Sequence, residues 1–118
     1  MKERRRAERV SVKLDARWEG AVSKQKGTVT DISETGCFML TADKVTRGEP
    51  VSIEIKLTSS RSVFMRGDVV YQIPEMGFAV QFSDSDESEK EMLKKYLDFV
   101  RQRSGPERAE QSDPTVSS

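Results

Sequence analysis

Two short stretches of this sequence carry side chains that could recognise an anionic ligand. The first is ERRRAERV, residues 3–10, which places four arginines within six positions of a chain whose formal net charge is zero. A guanidinium group can form paired hydrogen bonds with a phosphate, and its plane can stack on a purine ring. This run therefore predicts a small anion site, although a basic run of this kind is also typical of a solvated tail.

The second stretch is DISETG, residues 31–36, which follows a predicted strand. The carboxylate of Asp31 can accept hydrogen bonds, and the hydroxyl of Ser33 can bond a phosphate or brace the turn. Gly36 allows the main chain to approach a ligand closely or to adopt a positive φ. Taken alone, the stretch is also typical of an ordinary turn, because Asp and Ser side chains often bond nearby backbone groups.

Composition narrows the functional classes. The chain has 118 residues, enough for one domain, and its 20 Lys and Arg balance its 20 Asp and Glu. Domains that bind the nucleic-acid backbone are strongly basic, so this balance argues against that class. The absence of histidine removes His-dependent nucleophiles and His-containing metal sites. We therefore expect no enzyme, no catalytic residue and no metal site.

The single cysteine and the lack of long apolar runs indicate the cellular compartment of the protein. One cysteine, Cys37, excludes an internal disulfide and a thiolate zinc site within one chain. We expect it to be a small buried residue. The N-terminus has no apolar stretch of the signal-peptide type, and no run approaches the roughly 18 apolar residues of a membrane span. A cytoplasmic protein is expected.

Six short runs predict β-strands, since apolar and polar residues alternate in most of them. The alternation is strict from Val10 to Trp18 in the first run. With no helix between them, the runs predict a mainly β, antiparallel barrel or sandwich. The six runs are VSVKLDARW, GTVTDIS, GCFML, VSIEIKL, SVFMRGDVVYQI and FAVQF. The residues of the fifth run expected to face inward are Val63, Met65, Val69, Tyr71 and Ile73.

The segment SDSDESEKEMLKKYLDFVRQRSGP, residues 83–106, predicts a C-terminal helix. Acidic residues lie in its first turns, Arg101 and Arg103 near its end, and Gly105-Pro106 follow. One apolar stripe should flank or plug the barrel. Its members are Met92, Leu93, Tyr96, Leu97 and Val100. The resulting division is a flexible arginine-rich arm at 1–9, a barrel with its helix at 10–103 and a disordered tail at 104–118.

The two stretches together resemble the signature of the PilZ domain family, bacterial receptors for cyclic di-GMP. That signature is RxxxR ahead of the first strand, here Arg5 and Arg9, followed further along the chain by (D/N)xSxxG, here Asp31, Ser33 and Gly36. The run GDVVYQIPEMGFAVQF is also similar to the closing strand pair of the family. The resemblance covers about residues 3–103, and it implies a six-stranded antiparallel β-barrel with a C-terminal α-helix.

The resemblance also implies roles for these residues. Arg5 and Arg9 would clamp phosphate and guanine, while Asp31, Ser33 and Gly36 would form the opposing wall. In the family, a basic residue just before RxxxR tends to accompany binding of two stacked ligand molecules, and Arg4 holds that place here. The arm would become ordered over the ligand. This change of shape would signal to a partner protein in trans, without any cofactor or chemical turnover.

Two other functional classes stay open at this point. A degenerate PilZ-fold module could act through protein contacts without binding nucleotide, although the chain keeps the signature residues. A small nucleic-acid-binding barrel is the other class, and such proteins generally stack bases on several surface aromatics. The sequence has only eight aromatic residues, and most of them fall at core-facing positions or on the helix.

Overall fold

The computed structural model describes residues 9–21 and 24–103. In this part of the chain six antiparallel strands form a closed barrel in the order β1-β2-β3-β6-β5-β4, and one helix follows them. The predicted barrel with a C-terminal helix is therefore confirmed. The elements are β1 Val10–Glu19, β2 Lys24–Ile32, β3 Gly36–Leu40, β4 Pro50–Thr58, β5 Arg61–Ile73, β6 Gly77–Phe82 and α1 Glu87–Arg103. The predicted tail at 104–118, and the arm apart from Arg9, lie outside the described residues.

The barrel core is built from the inward-facing residues of each strand. In β4 the alternation is complete, since Val51, Ile53, Ile55 and Leu57 are all buried. In β1 burial increases along the strand, from half-buried Val10 to buried Trp18. The indole of Trp18 packs edge-on against the ring of Phe78, with the ring centroids 5.0 Å apart. Such aromatic pairs stabilise a core beyond the area that they bury.

The fifth strand departs from the predicted alternation in its second half. Val63, Met65 and Val69 are buried as expected, but Tyr71 and Ile73 are exposed. The reason is an irregularity in the pairing of β5 with β6, where Val69 pairs with Val80 and Tyr71 pairs with the next residue, Ala79. A β-bulge inserts one residue and so reverses the side-chain phase beyond it. The prediction that Tyr71 and Ile73 face inward is wrong.

Helix α1 lies against the barrel through its predicted apolar stripe. Leu93 and Leu97 are fully buried in the core cluster, and half-buried Met92 and Tyr96 pack against it. The carbonyl of Asp86 accepts hydrogen bonds from the N–H groups of Glu89 and Lys90 and so starts the helix. No helix among the described residues is long and apolar enough to cross a membrane.

The segment before the helix and the first turn of the helix cover the part of β5 that extends beyond its pairing with β6. The Ser83 N–H donates to the Arg66 carbonyl at 2.8 Å. The Arg66 N–H donates to Ser85 Oγ at 2.9 Å, and the Phe64 N–H donates to Glu89 Oε1 at 2.8 Å. Side chains and loop backbone therefore replace the missing strand partner, which satisfies main-chain groups that would otherwise be unpaired.

Candidate functional site

The pairing of β1 with β2 brings two of the predicted site residues together. Ser11 pairs with Asp31 and Val10 with Ile32, so Arg9 lies beside the end of β2. Arg9 Nη1 donates a hydrogen bond to Asp31 Oδ1 at 2.5 Å. The two side chains remain 50% and 35% exposed, which leaves this ion pair accessible from solvent. A ligand could therefore contact both charged groups without opening the barrel.

Ser33 lies in the turn that joins β2 to β3, and its hydroxyl is used within that turn. The side chain is buried, and its Oγ accepts hydrogen bonds from the N–H groups of Thr35 at 3.1 Å and Gly36 at 3.2 Å. The N–H of Ser33 donates to the Gly36 carbonyl at 2.8 Å. The sequence left two roles open for this hydroxyl, which could bond a phosphate or brace the turn. In the structure it braces the turn.

Gly36 begins β3, and its lack of a side chain serves the packing of strands. Among the described glycines, only Gly48 has a positive φ, so the positive φ considered for Gly36 is absent. A Cβ at Gly36 would instead collide with the carbonyl oxygen of Val80, its neighbour on β6. The glycine therefore allows β3 and β6 to approach each other directly beneath the turn.

The thiol of Cys37 lies just inside this site. Cys37 pairs with Ile32 across β2 and β3 and is completely buried, as predicted. The pKa of the thiol is raised to about 12, mainly by its burial and also by the nearby Asp31 carboxylate, while the Arg9 guanidinium lowers it. The thiol therefore stays protonated at neutral pH, and it is not a nucleophile in this state.

An aromatic pair lies on the same outer surface of the barrel as Asp31. Asp31 pairs with Phe38, Phe38 with Ala79, and Ala79 with Tyr71. These four residues form one row across β2, β3, β6 and β5. The rings of Phe38 and Tyr71 reach over the small side chain of Ala79 and lie 6.4 Å apart between centroids. An apolar, aromatic surface therefore lies next to the Asp31 carboxylate, across β3, β6 and β5.

Unbroken alternation in β5 would place Tyr71 inside the barrel, so that pattern does not predict Tyr71 as a surface residue. The available signal was the adjacent pair Val69-Val70, which interrupts the pattern just before Tyr71. Arg4 and Arg5, the other two predicted ligand residues, lie outside the described residues. Within 9–21 and 24–103 there is no group of three or more His, Cys, Asp or Glu side chains that could hold a metal ion.

Comparisons with known proteins agree with this fold and cover most of the chain. The family model for the PilZ domain matches residues 3–99. The structure of the Bacillus subtilis inhibitor of motility MotI/DgrA is similar with a TM-score of 0.71 at 20% identity, over 87% of this chain and 53% of that one. This chain therefore spans about half the length of MotI/DgrA.

A second solved structure shows the same fold at lower sequence identity. The PilZ domain of CeSA from a cellulose-synthesizing bacterium is similar with a TM-score of 0.66 at 11% identity, over 80% of this chain and 99% of that domain. None of the curated proteins compared with this sequence matches it significantly. The likeness to both structures therefore concerns the fold.

Proposed function

This chain belongs to the PilZ domain family, and on that premise we propose that it is a cytoplasmic receptor for cyclic di-GMP that acts by binding, without catalysis. The observation that carries the proposal is the exposed Arg9–Asp31 pair. It joins the last residue of RxxxR to the first residue of DxSxxG at one edge of the barrel. Arg9 and Asp31 are 22 positions apart in the sequence. Their contact therefore brings the two motifs onto a single surface.

The chemistry of the pair suits a guanine nucleotide. Guanine presents the acceptors O6 and N7 on one edge, which match a guanidinium fork, and N–H donors on the other, which match a carboxylate. Asp31 already orients the Arg9 side chain, so less conformational entropy is lost when a ligand binds. In this proposal Arg9 contacts guanine or phosphate, and the carboxylate of Asp31 accepts hydrogen bonds from the guanine N–H groups.

The braced turn and the aromatic row complete the proposed site. Ser33 holds the turn that follows Asp31, and Gly36 keeps the backbone there close to β6. Tyr71 lies three strands from Asp31, about 14 Å away at the usual strand spacing of nearly 5 Å. A ligand with two guanine bases can span such a distance. We assign to Tyr71 the stacking of one of them, a contact that every base face allows.

The proposed output is a change in the arm that precedes β1. Arg4 and Arg5 would bind the phosphates from that arm, and Arg4 would favour two stacked ligand molecules. The ordered arm and the bound nucleotide would then form a surface for a partner protein in trans. MotI/DgrA is an inhibitor of motility by its name, which supports an adaptor role for a PilZ domain of this shape.

A calorimetric titration tests the proposal. We expect cyclic di-GMP to bind at micromolar or lower concentration, whereas GMP, cyclic AMP and single-stranded RNA bind poorly. Arg9→Ala should weaken binding by about 2 kcal/mol or more, roughly thirtyfold in Kd, because a charge-assisted contact is lost. Arg17→Ala is the matched control, since Arg17 is also an exposed arginine but lies within β1, outside the site. It should bind normally.

The same titration tests the role of Tyr71 in the aromatic row. It also tests the alternative that the chain is a degenerate PilZ-fold module that does not bind nucleotide. Tyr71→Ala should lower the affinity roughly tenfold if the ring stacks on a base. Normal binding by Arg9→Ala, with the fold intact, would remove Arg9 from the site. The degenerate module predicts no heat with cyclic di-GMP and no competition for it in the unmodified chain, and that result would reject the receptor.

A further inference from the structure

Exposed apolar side chains are concentrated on one part of the barrel surface. The described residues include seven large apolar side chains that are exposed, and five of them lie near the β5–β6 turn and the end of β3. Their exposed fractions are between 37% and 48%. Clusters of this kind on a monomer often mark a binding surface. The five residues are Leu40, Val70, Tyr71, Ile73 and Met76.

The strand pairing arranges these side chains along a furrow, here called the β6 furrow. Leu40 on β3 and Ile73 on β5 both pair with Gly77, which lies between them on β6. Gly77 has no side chain, and the ring of Phe38 lies close above it. Leu40 and Ile73 therefore form two walls, Phe38 forms the floor and Met76 lies at the turn that ends the furrow.

The width of the furrow suits one row of side chains from an α-helix. The strands that carry the two walls are two strand spacings apart, about 10 Å between their axes, so the apolar stripe of a helix can enter between the walls while the helix itself lies above them. Gly77 cannot be replaced by a larger residue without displacing the β3 backbone, because a Cβ there would collide with the carbonyl oxygen of Met39. The local backbone therefore keeps the middle of the furrow low.

The topology limits how another chain could bind here. Strand β6 pairs with β3 on one side and β5 on the other within the closed barrel. Along β6 an added strand would find no free main-chain edge, so binding by strand addition is excluded at this surface. The remaining mode is contact between side chains, as when an amphipathic helix places its apolar stripe in a groove.

The size of the surface indicates a partner other than a second copy. The exposed area of the five side chains is on the order of 400 Å², whereas a stable interface needs about 800 Å² from each partner. The furrow alone is therefore too small to hold a permanent symmetric dimer. It suits a transient partner that contributes a single helix and contacts neighbouring surface as well.

The charges around the furrow define the chemistry of this partner. Glu75 lies in the β5–β6 turn next to Met76, and Asp68 lies on β5 opposite Gln81, four residues along β6 from Gly77. Both side chains are exposed. We propose that the β6 furrow binds an amphipathic helix of another protein, with an apolar stripe for the furrow and basic residues facing Asp68 and Glu75. This proposal does not require nucleotide binding, but its surface includes Phe38 and Tyr71, which also form the aromatic row of the proposed nucleotide site.

A synthetic peptide can serve as the probe. The peptide is an amphipathic helix with leucines at positions i, i+3, i+4 and i+7 and lysines beside them, and its control is a scrambled sequence of the same composition. We expect the helical peptide to shift the backbone NMR signals of Leu40, Ile73 and Met76 in the full chain. The scrambled peptide should bind at least tenfold more weakly.

Two substitutions in the furrow and one matched control locate the binding. Ile73→Lys and Leu40→Lys should each lower the peptide affinity at least tenfold, because they replace a wall with a charge that repels the lysines. Both residues are exposed, so the fold should persist, which thermal unfolding checks. Phe64→Lys is the control, since Phe64 is more exposed and lies in a different open groove, of about 970 Å³, on the outer face of β1, β2, β4 and β5.

Three results would overturn the proposal. They are equal binding of the scrambled peptide, unchanged affinity in both furrow variants, and loss of binding in Phe64→Lys alone. Sedimentation that shows a stable dimer, abolished by Ile73→Lys, would also overturn it in favour of a second copy. Ile73 lies outside the proposed nucleotide site, so Ile73→Lys should bind cyclic di-GMP normally, and the two proposals can fail separately.

Discussion

At the scale of single residues, Cys37 is linked to the charges of the candidate site. Its thiol is buried beside the Arg9–Asp31 pair, and its pKa is raised to about 12 from the ordinary value of 9.0, mainly by burial. A folded-state pKa above the unfolded one means that the folded protein holds a proton that the unfolded chain releases. This contribution to stability is complete below pH 9 and is lost as the pH rises above it.

We predict that the free energy of unfolding falls by about 1 kcal/mol between pH 9 and pH 10 because of Cys37. Urea denaturation at both pH values measures this change. Cys37→Ala should be less stable at neutral pH, owing to the lost volume, but its stability should decline less over this interval. The pKa of Tyr96 is also raised by burial, but that group is present in both proteins and cancels in the comparison. Parallel declines would contradict the prediction.

The residues of the candidate site differ in how far the sequence could predict them. Asp31 and Ser33 were identified because their spacing matches a known signature, and the pairing of β1 with β2 explains why Arg9 joins Asp31. The sequence left two roles open for Ser33, because a hydroxyl can bond a ligand or the backbone. The choice depends on burial, and the closed turn places this hydroxyl against two backbone N–H groups.

At the scale of elements, alternation predicted the six strands but could not predict where their pairing slips. A bulge arises between two strands and depends on the partner, so a pattern within one strand does not specify it. The slip after Val69 moved Tyr71 and Ile73 to the outer surface. It therefore created both the aromatic row and one wall of the β6 furrow.

We predict that Gly77→Ala destabilises the barrel by about 1–3 kcal/mol, because the new methyl group would displace the β3 backbone at Met39. Gly27→Ala is the matched control. A Cβ at Gly27 would meet first the sulfur of Met39, at 2.7 Å, and this flexible side chain can move away. Gly27→Ala should therefore lower the free energy of unfolding less than Gly77→Ala does. Thermal unfolding of both variants checks this, and equal losses would contradict the argument.

At the scale of the whole molecule, the helix and the barrel share one hydrophobic core. Leu93 and Leu97 belong to the same buried cluster as the strand residues, so the helix should unfold together with the barrel. The sequence predicted this apolar stripe from its helical spacing. It could not predict the hydrogen bonds that N–H groups of β5 donate to Ser85 and Glu89, which join residues far apart in the chain.

We predict that Leu97→Ala lowers the free energy of unfolding by about 2–5 kcal/mol, because it leaves a cavity between the helix and the barrel. The matched control is Leu40→Ala, which makes the same change at an exposed position and should cost much less. Far-UV and near-UV circular dichroism should lose their signals in one transition. Loss of the helix signal before the barrel signal would show that the two parts unfold independently.

One edge of the first half of β5 could pair with strands of other molecules, and the residues at the start of the helix cover this edge. If α1 detached together with the residues just before it, the N–H groups of Phe64 and Arg66 would lose Glu89 and Ser85 and become a free strand edge. Such an edge is a template for strands of other molecules and a common starting point for fibrils. The helix thus protects the protein against self-association, and truncations for crystallography or NMR should keep it.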